Sequence, residues 1–267
     1  MNNRPIGIFD SGLGGLTAVK ALRKLLPDEN IVYFADSGRV PYGSRPVSQL
    51  RRMAVQDMDF AASKGAKAMI AACGTVSSNA PDLLDSYPLP VFGVLKAAVR
   101  AMGHVPGDRP LGVIATEASI KSGAFYQALQ PACHDREILC IPCPEFVPLI
   151  ESGHSAPEDE LVKAAVEKQL GPMREAGVSA VLLGCTHFGI ISRAISNFMG
   201  RDTQLIGAAD CAAAELAEYL IRSGETGGRG ETLYYTSGNP REFSALAATF
   251  LGHELESPAQ PVPVMEV

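Results

Sequence analysis

Short apolar runs alternate along the chain with longer stretches in which apolar residues recur every three or four positions. Residues 5–9, 31–34, 67–72 and 91–94 are mainly apolar runs of strand length. Residues 13–26 place Leu16, Val19, Leu22 and Leu26 at helical spacing, and 47–64 extends that periodicity over a longer helix. After Pro106-Gly107-Asp108 the alternation starts again. Strands are expected over 111–115, 137–141, 180–183, 204–206 and 232–236, with helices over 120–130, 157–176, 209–223 and 241–251. Regular β and α alternation predicts an α/β fold, with parallel sheets covered by helices on both faces. The restart predicts two similar α/β halves. Each half offers its strand C-terminal ends to a ligand, as open parallel sheets do. The Pro-rich segment 256–267 lacks periodicity and is expected to lie loosely on the surface.

Two of the apolar runs end in cysteine. Residues 66–72 lead into Cys73-Gly74-Thr75, and residues 178–184 lead into Cys185-Thr186-His187. Gly65 and Gly177, and Ala68 and Ala180, keep the same offset as the two cysteines. Matching halves would set one thiol on each side of a shared cleft, which suits proton removal from one face of a carbon and return to the other. Both thiols precede helix-like turns, where the helix dipole is expected to lower the thiol pKa. His187 could shuttle protons. Glu151, closing Phe146-Val147-Pro148-Leu149-Ile150, could serve as a second-half acid near Cys185. A thiol hydrolase is the weaker alternative, because alternate residues of an extended segment point opposite ways and the spacing does not assure a contact between Cys185 and His187.

Other segments could also carry chemistry. Asp10-Ser11-Gly12-Leu13-Gly14-Gly15 follows the first strand without the spacing of a dinucleotide fingerprint. Asp10 would cap the following helix, orient an ammonium group or act as a base. The loop 35–43 holds Pro41-Tyr42-Gly43, either a simple turn or backbone N–H groups offered to an anion. Cys140-Ile141-Pro142-Cys143, flanked by His134 and His154, has redox or zinc spacing, but no second pair follows and a buried strand end is the plainer account.

Composition narrows the class. The chain has 267 residues, 46% hydrophobic and 19% charged, with a formal net charge of −6. That fits a soluble globular protein and disfavours a nucleic-acid partner. No apolar run nears the ~18 residues of a membrane span. The first residues run into a strand without a signal-peptide core, so a cytoplasmic location and no membrane partner are expected. Six cysteines in such a chain predict free thiols rather than disulfides.

Taken in order, residues 7–16, 33–36, 41–43, 146–151 and 183–187 resemble the glutamate racemases of the aspartate/glutamate racemase superfamily, and the similarity runs from about residue 5 to 252. The resemblance implies two pseudo-symmetric parallel-sheet α/β domains with the active site in the cleft between them. Residues 1–96 plus 209–267 would form the first domain and 97–208 the second. It implies racemisation of L- and D-glutamate without cofactor or metal, supplying D-glutamate for peptidoglycan and so for cell-wall biogenesis and cell shape. Cys73 and Cys185 would be the two acid/bases, assisted by Asp10, Glu151 and His187. Asp10, Ser11, Pro41, Tyr42, Gly43, Gly74, Thr75, Thr186 and His187 would bind substrate. A homodimer is common in the family, and an interaction with DNA gyrase is conceivable by family analogy alone.

Several positions depart from the family pattern. Gly74 stands where Asn is usual, Lys96-Ala97-Ala98 where Glu-Pro-Gly is common, and Gly207-Ala208 where Asp-Ser is common. Phe188-Gly189 replaces a frequent Tyr-Pro, and Glu145 interrupts a frequent Cys-Pro-Leu-Phe. Gly74 is expected to enlarge the pocket. Two alternatives follow: a racemase or isomerase of the same superfamily acting on another acid, or a non-catalytic paralogue that binds a small acid or a protein.

Overall fold

A computed structural model describes residues 2–133, 136–264 and 266 of the chain. The first half runs β1 (Ile6–Asp10), α1 (Leu16–Leu25), β2 (Ile31–Ala35), α2 (Val47–Ser63), β3 (Ala68–Ala71), α3 (Gly74–Asn79), α4 (Pro81–Ser86), β4 (Val91–Gly93) and α5 (Val94–Gly103). The second runs β5 (Leu111–Ala115), α6 (Glu117–Lys121), α7 (Ala124–Leu129), β6 (Ile138–Pro142), α8 (Phe146–Glu151), α9 (Glu160–Glu175), β7 (Ala180–Leu183), α10 (Ser192–Met199) and β8 (Gln204–Gly207). The chain ends with α11 (Ala208–Ser223), β9 (Thr232–Thr236), α12 (Pro240–Leu251) and β10 (Gln260–Pro261).

Every strand pairing is parallel. One sheet has the order β10-β9-β2-β1-β3-β4, and the other β6-β5-β7-β8. Without β9 and β10, both sheets share one order, with the first strand of each half lying between its second and third. The apolar runs explain this placement. β1, β3, β5 and β7 are buried at every position, as central strands covered on both faces must be. The β1 register sets Ile6 beside Ile31 of β2 and Ala68 of β3.

The repeated glycines have a common cause. Gly65 and Gly177 have φ of +82° and +64°, and each ends the turn between a long helix and a central strand. Glycine reaches that left-handed region without the Cβ penalty. The offset that relates the two cysteines therefore also relates two helix–turn–strand units, α2 to β3 and α9 to β7. Side-chain caps start other helices: Asp159 accepts from Leu161 N at 2.8 Å to open α9, and Asn239 accepts from Arg241 N at 3.0 Å to open α12.

Three expectations need correction. Helix α1 starts at Leu16 rather than near 13, because the Asp10 carboxylate accepts the Gly15 N–H at 2.8 Å and holds 12–15 as a turn. Helices α3, α4, α5, α8 and α10 are additional to those expected, and α3, α4 and α8 have six residues each, too few to mark a period. The segment 256–267 is not loose in its described part. β10 joins the edge of the first sheet, and Ala259 is buried. Among the described residues, no helix is long and apolar enough to cross a membrane.

Gly65→Ala and Gly177→Ala should each lower unfolding stability by ~1 kcal/mol, because a Cβ meets open space at both sites and only φ is strained. Urea denaturation of the double variant should give additive losses within about 0.5 kcal/mol.

Candidate active site

The strand order creates two crevices. In each sheet the chain leaves the first and third strands in opposite lateral directions, which opens a gap at their C-terminal ends. In the first half these ends carry Asp10-Ser11 after β1 and Cys73-Gly74-Thr75 after β3. In the second they carry Thr116 after β5 and Cys185-Thr186-His187 after β7. The crevices face each other across one cavity of about 610 Å³. All twelve residues singled out from the sequence line it: Asp10, Ser11, Pro41, Tyr42, Gly43, Cys73, Gly74, Thr75, Glu151, Cys185, Thr186 and His187.

The two thiols have different neighbours. Cys73 is 4% exposed, and its Sγ donates toward Ser11 Oγ at 3.6 Å. Burial, then the Asp10 charge, push its pKa up to about 12. Backbone N–H groups of Val76 and Thr75 and the Ser11 hydroxyl pull it down but do not prevail. The lowered pKa expected from the helix start is therefore overturned: α3 has six residues, and desolvation beside a carboxylate outweighs its dipole. Asp10 is held by the Gly15 N–H and, more distantly, the Gly12 N–H.

Cys185 is 9% exposed, and its Sγ lies 3.8 Å from His187 Nδ1. His187 Nε2 stands 3.1 Å from Glu151 Oε1. The contact that the two-residue spacing alone does not assure is made. The chain leaves the extended conformation at Cys185 and enters a turn of 3₁₀ helix over Thr186–Gly189, so the strict alternation of an extended segment ends there and the two side chains meet. Burial alone lowers the basicity of His187. Hydrogen bonds to Cys185 and Glu151, with the charges of Cys185 and Asp10, overcome it and raise its pKa to about 10.

Gly74 does not enlarge the pocket. A Cβ built on it would sit 2.7 Å from the Gly184 carbonyl oxygen of the opposite half. The Asn usual in the family would strike backbone here, so the glycine permits close approach of the two halves. Gly14 behaves alike: its Cβ would overlap Thr186 Oγ1 and come within 2.5 Å of His187 Nδ1.

Sequence reasoning missed part of the lining. Val40, residues 116–119, Cys143, Pro144 and Val147 also face the cavity. Thr116 carried a readable signal, since a threonine directly after an apolar strand run is a favoured helix N-cap. Thr116 Oγ1 accepts the Ser119 N–H at 3.4 Å. Cys143 is a third thiol at the site, and burial pushes its pKa up to about 12. Cys140 instead lies in β6 and packs at the margin of the core. His134 lies outside the described residues, and among the described residues no cluster of three or more His, Cys, Asp or Glu could hold a metal.

Gly74→Asn should cost ~1–3 kcal/mol in urea unfolding, because the backbone it meets cannot swing aside like a side chain. His187 yields a pH signature. Its folded pKa is raised above the ordinary value near 6.5, so the stability it adds is whole below about pH 6.5 and is lost as pH rises through about 10. The stability gap between wild type and His187→Gln should therefore narrow between pH 6 and pH 10. By NMR, the ring should titrate near 10 and move downward in Cys185→Ser.

Known proteins share this fold. The family described as Asp/Glu/Hydantoin racemase matches residues 17–216. A glutamate racemase of Thermus thermophilus is 40% identical over 256 residues, covering 95% of this chain and 94% of that protein. The crystal structure of glutamate racemase from Francisella tularensis in complex with D-glutamate superposes with a TM-score of 0.87 at 32% identity, covering 99% of both chains. That of the Thermus thermophilus enzyme in complex with β-chloro-D-alanine gives 0.86 at 37% identity, over 98% of both. An aspartate racemase of Picrophilus torridus shares the fold, with a TM-score of 0.60 at 16% identity. The chain belongs to the Asp/Glu/Hydantoin racemase family, as an isomerase of its glutamate racemase branch.

Proposed function

We propose that Cys73 and Cys185 racemise glutamate by proton transfer across the cavity, and that the D-glutamate formed supplies peptidoglycan. The observation that carries this is a pair of buried thiols on turns from opposite sheets, lining one cavity. The substrate α-carboxylate rests among hydroxyls and N–H groups from both halves, with Ser11, Thr75 and Thr186 nearest the two turns. In one direction Cys185, as thiolate, takes the α-proton, with the His187 imidazolium as its counter-charge. The electron pair left on the α-carbon is delocalised into the carboxylate. Cys73, a thiol at neutral pH because burial and Asp10 disfavour its anion, delivers a proton to the other face. The reverse direction exchanges the roles. Asp10 and Glu151 act through their neighbours, the first beside Cys73 and the second through His187.

An α-hydrogen is far less acidic than a thiol, so most of the acceleration must come from orientation and fixed hydrogen-bond donors in a dry site. The low exposure of Cys73, Cys185, Asp10 and His187 supplies that dryness. Glutamate is preferred to another acid because relatives 35–40% identical over nearly the whole chain are glutamate racemases.

Cys73→Ser and Cys185→Ser should each reduce racemisation by at least ~10²-fold, the lower end of general acid–base contributions. Deuterium wash-in should separate them. Each variant should lose exchange from one enantiomer more than from the other, and full activity in either would end the two-thiol scheme.

A further inference from the structure

Behind the cavity wall lies a buried set of side chains that proton transfer leaves unused. Asp36 and Asp57 have no exposed surface, and Arg39 and Tyr42 almost none. Arg39 Nε donates to Asp36 Oδ2 at 2.6 Å, and Arg39 Nη2 donates to Asp57 Oδ1 at 3.1 Å. Ser237 Oγ donates to Asp36 Oδ1 at 2.6 Å. The Tyr42 hydroxyl makes a close hydrogen bond to Asp36 Oδ2 and lies 2.9 Å from Asp57 Oδ2.

The hydrogens do not suffice if both carboxyls are ionised. A phenol has one proton to give, and an ionised carboxylate only accepts. Asp36 takes a donor on each oxygen besides the phenol, so it is well satisfied as an anion. Asp57 Oδ2 has the phenol oxygen as its partner, and that oxygen is free to accept. We infer that Asp57 is a neutral carboxylic acid whose Oδ2–H donates to Tyr42, that Tyr42 donates to Asp36, and that this relay positions the Pro41–Gly43 wall of the cavity. Burial, then the Asp36 charge, raise the Asp57 pKa; Arg39 and the Tyr42 hydrogen bond oppose them without prevailing, and Asp10 adds to the rise. With Asp57 neutral, the buried group holds one guanidinium against one carboxylate, rather than an unbalanced second anion.

The C-terminal segment braces the same relay. Gln56 Oε1 accepts from Arg39 Nη1, and Gln56 Nε2 donates to the Glu266 carbonyl at 3.0 Å. The Gly38 N–H donates to Ser237 Oγ at 2.9 Å, next to β9. Val262 packs against the core cluster that contains Tyr42.

This deepens the proposed function, since it rests on the cavity being where the substrate acid sits. The test uses two variants of the full chain and two independent readouts. Asp57→Asn keeps a neutral donor toward Tyr42 and an acceptor toward Arg39, whereas Asp57→Leu keeps neither. Infrared difference spectra at neutral pH, wild type minus Asp57→Asn, should contain a protonated-carboxyl C=O band. Asp57→Asn should racemise glutamate within about twofold of wild type, while Asp57→Leu should raise KM about tenfold with kcat nearly kept. Absence of the infrared band overturns the inference, as does equal impairment of both variants. The infrared comparison needs only the isosteric variant, so it decides even if Asp57→Leu does not fold. A wild-type protein that fails to turn over glutamate would defeat the proposed function, while the band would still decide the proton.

Discussion

The two halves meet through backbone where a side chain would be in the way. The Gly184 carbonyl of the second half lies over Gly74 of the first, at a distance that leaves no room for a Cβ. Gly14 makes a second close approach, against the side chains of Thr186 and His187. These two approaches bring the strand ends of separate sheets to one cavity. Each glycine adjoins or faces a residue of the proposed chemistry, so the spacing of the halves and the geometry of the site are one constraint. The departure of Gly74 from the family pattern reads as packing in this light. A larger pocket does not follow from it, and neither does a change of substrate.

The site is symmetric in fold and asymmetric in charge. The same strand order appears twice, and equivalent turns carry the two thiols. Yet Cys73 sits beside a carboxylate and Cys185 beside an imidazole that is itself paired with a carboxylate. A carboxylate makes a neighbouring thiolate costly, and an imidazolium offsets its charge. The two sides of the cavity therefore differ in charge: burial and Asp10 hold Cys73 as a thiol, and a strongly basic imidazole stands beside Cys185. That is what a reaction needs in which one group must accept a proton while the other gives one.

Much of this was readable before any coordinates, and for identifiable reasons. The strand preceding each cysteine is apolar throughout because a central parallel strand is buried on both faces, and so the repeat of Gly65, Ala68 and Cys73 at Gly177, Ala180 and Cys185 stood out. Short helices such as α3 and α8 were hidden because six residues do not show a helical period. The tail was hidden because β10 has two residues, and its pairing is set by a neighbouring strand rather than by its own composition. The Cys185–His187 contact stayed open because a local turn type decides it, and an apolar run carries no mark of where extended backbone becomes 3₁₀.

Residue order alone determined the alternation of elements, the duplication, and which short segments stand at strand ends, because these follow from local periodicity and from the identity of a few residues. Tertiary structure decided which groups touch and in what protonation state. Burial of Cys73 beside Asp10, closure of Gly74 on Gly184, and a phenol caught between Asp36 and Asp57 all join residues distant along the chain. Desolvation and hydrogen-bond counting act on such neighbours in space, and neighbours along the chain say nothing about them.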